Sequence, residues 1–147
     1  MYRLIYKSRP NGTMDWEQVR TILHQSEQNN EQHGITGLLL ATPNHFLQVI
    51  EGKYEEVNKL FMKIAHDPRH GQIQLISFDL IDSRLFAGWG MKGLGLFDFN
   101  NEQAKLLKTK YGESNGDIQF PLDSWQALAL INDLQMLQAP PEWKQAQ

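Results

Sequence analysis

The stretch HFLQVIEG, residues 45–52, has the alternation of a β-strand that lies inside a core. Side chains of a strand point to its two faces in turn, so Gln48 shares its face with the apolar Phe46 and Ile50. A buried carboxamide without partners costs about 1–3 kcal/mol, which indicates that the donors and the acceptor of Gln48 bind something specific. The alternative is a glutamine on an edge strand with its side chain in water.

The segments around this strand predict alternating strands and helices. Residues 2–6 are a first strand, and apolar residues at helical spacing predict a helix from about residue 15 to residue 29. Residues 35–41 and 45–51 are β-rich and are separated by a hairpin signal. A second helix is marked by apolar residues at i, i+3, i+4 and i+7, namely Val57, Leu60, Phe61 and Ile64.

Two further predicted strands, at residues 72–81 and 86–92, complete the order βαββαββ. Short connections and right-handed crossovers leave few layouts for that order. We therefore predict an α+β fold, a ferredoxin-like sheet with both helices packed on one face. Residues 1–97 are the predicted extent of this domain.

The remaining residues, 98–147, are predicted to be a C-terminal extension with two helices. Its expected features are, in order, an Asn101 cap, a helix over residues 104–111, a loop over residues 112–121, a helix from Asp123 or Ser124 to about Leu137, and an end of regular structure at Ala139-Pro140-Pro141. The extension is too short for a core of its own. Its apolar side chains are therefore expected to pack on the sheet or at an interface with another subunit.

Composition argues against several classes of protein. The 147 residues suffice for one buried core, and a net charge of −3 without a basic patch argues against nucleic-acid binding. The absence of cysteine excludes disulfides, thiolate catalysis and cysteine-ligated metal, and it fits a reducing cytoplasm. Neither a signal peptide nor a run of ~20 apolar residues is visible, so we expect a cytoplasmic protein that does not contact a membrane.

Conventional catalysis finds no support in the sequence. The five histidines lack metal-ligand spacing, so no metal site is expected. There is no phosphate-cradling glycine loop and no nucleophile beside a base. We therefore do not expect an enzyme.

Three uncharged polar groups could meet in one pocket. Tyr6 ends the first strand, Asn30 lies two helical turns after Ile22 on the same face, and Gln48 comes from the hairpin. A phenol and two carboxamides suit recognition of a flat heteroaromatic ring such as flavin or pterin. The alternatives are a core tyrosine with a satisfied hydroxyl and an asparagine that caps its helix.

Charged residues cluster after the second helix. Helical spacing places Lys63 beside Asp67, and the basic pair Arg69 and His70 follows close enough to meet a phosphate or a ribose. The alternative is a solvated i,i+4 ion pair between Lys63 and Asp67.

Five separated motifs, over residues 1 to about 95, resemble the BLUF domains, blue-light receptors that use flavin. The motifs are Arg3-Leu4-Ile5-Tyr6, Asn29-Asn30 with Gly34-Ile35-Thr36-Gly37-Leu38-Leu39, Phe46-Leu47-Gln48-Val49-Ile50-Glu51-Gly52, Asp67-Pro68-Arg69-His70 and Trp89-Gly90-Met91. The C-terminal pair of helices resembles the short members of the family, whose output goes through a separate protein.

The resemblance implies roles for these residues around noncovalently bound FAD. Tyr6 would be the redox-active tyrosine, Gln48 the switching glutamine and Asn30 a clamp on the polar edge of the ring. Trp89 and Met91 would be the responsive pair on the last strand, with one of them near the glutamine. The implied cofactor contacts are Tyr6, Ile22, Asn29, Asn30, Gln48, Lys63, Asp67, Arg69 and His70.

The chain departs from the family pattern at three positions. Lys63 stands where many relatives have arginine, which would reduce a bidentate contact to a point charge. Gly71 replaces a frequent second histidine. Gly90 replaces a common serine, and glycine weakens strand interiors.

The resemblance further implies that blue light drives an electron and then a proton from Tyr6 by way of Gln48. The carboxamide is left rotated or tautomerised, and a small red shift results. We expect this change to alter homo-oligomerisation or the binding of a separate response protein. Two rival hypotheses are a small flavin-dependent reductase and an interaction module that binds no flavin.

Overall fold

The computed structural model describes residues 1–12, 14–95, 101–114 and 116–138. These residues form two compact units: one holds the described residues up to Gly95, and the other holds those from Asn101 to Gln138. The predicted end of regular structure at Ala139-Pro140-Pro141 lies outside the described residues.

The first unit contains five strands and two helices. Its elements are β1 (Tyr2–Pro10), α1 (Trp16–Gln32), β2 (Thr36–Ala41), β3 (Phe46–Gly52), α2 (Tyr54–Ala65), β4 (His70–Leu80) and β5 (Lys92–Gly95). The strands form one sheet in the order β4-β1-β3-β2-β5. β5 lies parallel to β2, and the other neighbouring pairs are antiparallel. The predicted α+β, ferredoxin-like fold is confirmed, with β5 as an added edge strand.

Both helices pack on the same face of this sheet, as predicted. The cluster beneath α2 is built on Leu4, Tyr6 and Ile50. The cluster beneath α1 is built on Leu39 and Phe46, whose side chains lie on the same face of the sheet as those of the first cluster. Burial of each large aliphatic side chain is worth about 1.5–3 kcal/mol, so these two clusters hold the helices in place.

The ends of α1 follow from local sequence. Asp15 accepts a hydrogen bond from the Gln18 N–H at 2.9 Å while the Gln18 side chain accepts from the Asp15 N–H, which is a capping box. Gly34, with φ +66°, turns the chain into β2. The helix runs three residues beyond the predicted end at residue 29.

The strand predicted at residues 86–92 is wrong, because β5 begins only at Lys92. Before it, residues 86–91 belong to no strand and consist mostly of turns and bends. The Trp89 N–H donates to the Phe86 carbonyl at 3.2 Å, and the Gly90 carbonyl accepts from the side chain of Asn30. Backbone groups bonded in this way are not available to a strand ladder.

The second unit contains two helices and a short hairpin. Its elements are α3 (Asn101–Tyr111), β6 (Glu113–Ser114), β7 (Asp117–Ile118) and α4 (Ser124–Gln138). The hairpin lies where a loop was predicted, and Gly116, with φ +85°, provides the left-handed backbone that tight hairpin turns require. Asp123 caps α4, since its Oδ1 accepts from the Gln126 N–H at 2.9 Å. In the described ranges, no helix combines the length and the apolar character that crossing a bilayer requires.

Candidate functional site

A cavity of about 90 Å³ lies between the sheet and its two helices. Its lining residues are Tyr6, Ile22, Ser26, Asn30, Leu39, Phe46, Gln48, Leu60, Ile64, Asp67, Arg69 and His70. A wider groove of about 390 Å³ shares part of this lining and continues between the two helices. The groove falls within the usual size of small-molecule sites, about 300–1,000 Å³.

Strand register places the polar pair Tyr6 and Gln48 together. Tyr6 of β1 lies directly opposite Gln48 of β3, and Leu39 of β2 lies opposite Gln48 on its other side. β3 is the central strand of the sheet, and Gln48 is only 6% exposed. The alternative of a solvated edge-strand glutamine is therefore wrong.

The Gln48 carboxamide has one partner at each end. Its Oε1 accepts a hydrogen bond from the Tyr6 hydroxyl, and its Nε2 donates to the Met91 Sδ at 3.4 Å. A carboxamide has two donors and two acceptor lone pairs, so one of each is left for a ligand in the cavity. One end of this side chain accepts and the other donates, so reversing the side chain would change its hydrogen bonds with both neighbours.

Tyr6 is a neutral hydroxyl in this setting. Burial raises the pKa of its phenol, and the nearby negative charge of Asp67 raises that pKa further. The ring packs against Phe61 at 5.5 Å between centroids. Tyr6 therefore has a satisfied hydroxyl, as the alternative supposed, and it lines the cavity as well.

Asn30 is 2% exposed and contributes a second carboxamide. Its Nδ2 donates to the Gly90 carbonyl at 2.8 Å, and no hydrogen bond to its Oδ1 occurs in the described part of the chain. Every fully enclosed side-chain nitrogen or oxygen there has a partner, so this oxygen is open to the cavity. The helix-cap alternative is wrong, because Asn30 lies within α1 and the side chain bonds across to another segment.

The α1 side of the cavity is a stripe at helical spacing. Ile22, Ser26 and Asn30 lie at i, i+4 and i+8, and all three line the cavity. Ser26 was missed from the sequence, although its spacing between the two predicted residues could have indicated it. Asn29 lines only the wider groove, where Lys63 also lies.

The alternative of an i,i+4 ion pair between Lys63 and Asp67 is wrong, because the described residues contain no such pair. Both residues line the groove, although α2 ends at Ala65 and helical spacing does not extend to residue 67. Asp67 instead pairs with Arg69, whose Nη2 lies 2.6 Å from the Asp67 Oδ2. The hydrogen bond from Arg69 holds the pKa of Asp67 below its usual range.

His70 is held by two hydrogen bonds beside the cavity. Its Nε2 lies 2.8 Å from the Ile64 carbonyl, which can only accept, so that nitrogen carries a proton. Its Nδ1 lies 2.8 Å from the Oγ of Ser8. Ser8 is buried and was also missed, although it lies two residues after Tyr6 on the same face of β1.

Trp89 and Met91 have opposite environments. Met91 is 5% exposed and touches Gln48, whereas Trp89 is 40% exposed. The Lys92 Nζ lies 4.0 Å from the centre of the Trp89 ring, at the distance of a cation–π contact. Of the pair implied by the resemblance, Met91 is therefore the member beside the glutamine.

The two glycine departures differ in their surroundings. A Cβ at Gly90 would lie 3.1 Å from the Glu27 carbonyl oxygen, so this part of the chain runs close against α1. A Cβ at Gly71 would meet only the Asn11 Oδ1, at 3.8 Å, which is ordinary contact. Glycine is thus favoured sterically at position 90 and not at position 71.

The site has uncharged hydrogen-bonding groups beside charged ones. Tyr6, Asn30 and Gln48 line the cavity. The ion pair of Arg69 and Asp67 lines both the cavity and the groove, and Lys63 lines the groove alone. This distribution fits a ligand with a flat uncharged ring and an anionic tail, such as FAD. Among the described residues, no group of three or more His, Cys, Asp or Glu side chains could hold a metal ion.

Comparison with known proteins gives one family for most of the chain. The family model described as "BLUF: Sensors of blue-light using FAD" matches residues 1–92. The blue light- and temperature-regulated antirepressor BluF of Escherichia coli (strain K12) is 29% identical over 121 residues, which are 82% of this chain and 29% of that protein. Photoactivated adenylate cyclase subunit alpha of Euglena gracilis is 36% identical over 76 residues, 52% of this chain and 8% of that protein.

Solved structures give the same result over nearly the whole length. BlsA in its photo-activated state is 30% identical with a TM-score of 0.75, covering 95% of this chain and 96% of that chain. BlrB, a BLUF protein in its dark state, is 25% identical with a TM-score of 0.72, covering 94% and 96%.

Proposed function

Since the chain belongs to the BLUF family, the sensors of blue light using FAD, we propose that it is a photoreceptor whose light response begins at Tyr6 and Gln48. The observation that carries this proposal is the hydrogen bond from the Tyr6 hydroxyl to the Gln48 Oε1, inside a cavity that Asn30 also lines.

The cavity and the groove divide the binding of FAD between them. The free amide groups of Asn30 and Gln48 would bond the polar edge of the ring, and Ile22 would pack against its face. Asn29, Lys63 and Arg69 lie in the groove, where the cations would bind the ribityl-phosphate side. Asp67 holds the Arg69 guanidinium in position, and His70, which lines the cavity, would lie beside the ring edge.

Bound FAD supplies the absorption of blue light and an acceptor for one electron. Tyr6 would be the electron donor, since an oxidised phenol is far more acidic than the neutral one. Its proton would leave along the existing bond to the Gln48 Oε1. Return of the electron and the proton to Tyr6 would restore the phenol and leave Gln48 rotated or tautomerised.

A rotated Gln48 cannot keep its present contacts. Its Nε2 would face the Tyr6 hydroxyl, and its Oε1 would face the Met91 sulfur, which has no proton to donate. The bond to Met91 is therefore lost when Gln48 rotates. Because bonds in a buried site are strong and their loss is costly, the change is passed to the segment that carries Met91.

The test is an absorption spectrum of the purified protein before and after a blue flash. We expect bound FAD and a reversible red shift in the wild type, and no red shift in Gln48→Ala. Gln74→Ala is the matched control, because Gln74 is an exposed glutamine on β4. A normal photocycle in Gln48→Ala would refute the role of Gln48, and colourless protein that does not take up FAD would refute the proposal as a whole.

The chain spans 29% of the length of the antirepressor and 8% of the cyclase subunit, so the outputs of those two proteins do not transfer to it. We propose that light changes self-association or the affinity for a separate response protein. The second unit exposes large apolar side chains suited to such contacts, namely Leu106, Leu122, Trp125 and Met136.

We further propose that this chain acts as a sensor without enzymatic activity, in the cytoplasm. The matched part of the cyclase subunit is a small fraction of that protein, and the matched family is described by light sensing. A flavin-dependent reductase is the less favoured alternative. Steady-state NADH consumption by the purified protein would distinguish the two.

A further inference from the structure

Glu51 is a carboxylate with no solvent exposure, and the light response proposed above does not use it. It lies on β3 three residues after Gln48, so its side chain is on the opposite face of the sheet. A buried charge is tolerated only when it is paired and hydrogen-bonded, which makes the identity of its partners informative.

The partners of Glu51 are one cation and two backbone N–H groups. Its Oε2 accepts from the Arg3 Nε at 2.9 Å. The Leu85 N–H lies 3.0 Å from both carboxylate oxygens, and the Phe86 N–H lies 2.9 Å from the Oε1. Both N–H groups belong to the β4–β5 connection, residues 81–91, which carries Trp89 and Met91.

The same part of the connection has a second attachment. Arg84 donates from its Nη2 to the Gly34 carbonyl at 2.7 Å and from its Nη1 to the Thr36 Oγ1 at 2.9 Å. The first half of the β4–β5 connection is thus bonded to β3 and to the start of β2. None of these bonds involves the cavity.

The far end of the connection is bonded to the cavity residues instead. Asn30 donates to the Gly90 carbonyl at 2.8 Å, and Gln48 donates to the Met91 sulfur at 3.4 Å. The connection therefore has one end held by charged groups outside the cavity. Its far end is held by Asn30, by the Gly37 N–H on the Trp89 carbonyl at 3.1 Å, and by the Gln48 amide that light is proposed to reverse.

We propose that Glu51 is a positioning residue that anchors the β4–β5 connection. With residues 84–86 held, the loss of the Met91 bond moves the end of the connection and β5. Without the anchor, the whole connection would relax and β5 would respond less. This inference rests on the proposed function of Gln48.

The chemistry of the anchor requires a carboxylate. Three donor groups meet two oxygens, which a carboxylate can accept with its four lone-pair sites. Glu51→Gln keeps the size of the side chain but turns one acceptor into a donor that faces N–H groups. The substitution should loosen residues 85 and 86 while leaving Tyr6 and Gln48 in place.

The test compares full-length wild type, Glu51→Gln and Glu55→Gln, all loaded with FAD. Glu55 is an exposed glutamate in the first turn of α2, so its variant has the same change in charge. The measurements are the red shift after a flash, the dark recovery rate, and amide hydrogen exchange of residues 84–95 in darkness and in light.

We expect Glu51→Gln to keep the red shift, since the cavity is unchanged. Its Leu85 and Phe86 amides should exchange about tenfold faster in darkness, because their charged acceptor is lost. The light-induced change in exchange of β5 should fall by about half or more, and dark recovery should change by about fivefold. Glu55→Gln should match the wild type.

Wild-type recovery and wild-type light-induced exchange in Glu51→Gln would overturn the inference. If Glu51→Gln does not fold, Arg84→Gln is the second variant, because Arg84 is less buried than Glu51 and holds the same end of the connection. A wild-type light-induced change in the exchange of β5 in Arg84→Gln would also overturn the inference. A wild type without a red shift would instead count against the proposed function itself.

Discussion

At the scale of the residue, the site depends on polar groups that are neutral and buried. Gln48 and Asn30 have donor and acceptor ends in an apolar cavity, and Tyr6 is a protonated phenol. In such surroundings each hydrogen bond is strong and each unpaired group is costly. A single carboxamide reversal therefore changes several energies at once, which a solvated side chain could not do.

The phenol of Tyr6 should make stability depend on alkaline pH. Its pKa is raised in the folded protein by burial, so its contribution is complete below the unfolded-state pKa of about 10 and is lost as pH rises from there towards the folded-state pKa. The free energy of unfolding of the wild type should fall above about pH 10, by up to about 1.4 kcal/mol per pH unit from this group.

Tyr6→Phe removes this group and keeps the ring. Urea unfolding at a series of pH values should show a smaller fall above about pH 10 than in the wild type. Tyr54→Phe, at a half-exposed phenol, is the control and should keep the wild-type profile. Equal slopes for Tyr6→Phe and the wild type would contradict the assignment of the raised pKa to Tyr6.

At the scale of the element, β2 lies so close to the backbone of β3 at Gly37 that no side chain fits between them. A Cβ at Gly37 would lie 2.0 Å from the Val49 carbonyl oxygen of β3, which is backbone and cannot rotate away. The Gly37 N–H also donates to the Trp89 carbonyl at 3.1 Å. Glycine at this position thus allows β2 to contact both the central strand and the β4–β5 connection.

Gly37→Ala should therefore destabilise the protein by about 2–3 kcal/mol, through displacement of strand backbone. The measurement is the free energy of unfolding in urea, with Gly71→Ala as the control on β4. An added Cβ at Gly71 has only ordinary contact with Asn11, so we expect a change within about 0.5 kcal/mol. Equal effects of the two substitutions would show that the close approach at Gly37 is unimportant.

At the scale of the whole molecule, the proposed sensing and the proposed output belong to different units. The cavity belongs to the first unit, and large exposed apolar side chains such as Trp125 and Met136 belong to the second. That the second unit packs on the sheet or at a subunit interface stays a prediction. The proposed output through association requires no group in the cavity to reach the surface, because we propose that the β4–β5 connection, which is bonded to Asn30 and Gln48, carries the change away from it.

Size-exclusion profiles in darkness and under blue light test this output. We expect the wild type, alone or with a response protein, to change its elution in light, by about twofold in apparent mass for a monomer–dimer change. Gln48→Ala should elute alike in both conditions. Identical wild-type profiles throughout, from protein with a normal red shift, would contradict light-dependent association.

Local pattern was sufficient for strands β1 to β4, for the four helices, and for the buried faces of β3 and α1. The alternation of residues 45–52 placed Gln48 among apolar neighbours, and helical spacing put Ile22 and Asn30 on one face. It was insufficient where the chain leaves regular structure. The ion pair between Lys63 and Asp67 does not form, because α2 ends at Ala65 and Asp67 pairs with Arg69. The strand predicted at residues 86–92 begins only at Lys92, because the Trp89 N–H and the Gly90 carbonyl are bonded outside a strand ladder.

The sequence by itself determined the uncharged candidates Tyr6, Asn30 and Gln48, because period and polarity are properties of neighbouring residues. Only the tertiary structure decided which of them touch. Strand register sets Tyr6 against Gln48, and the path of the β4–β5 connection puts Met91 inside and Trp89 outside. The reason is physical: partners distant in sequence are selected by register and close packing, which depend on the whole sheet and have no local pattern.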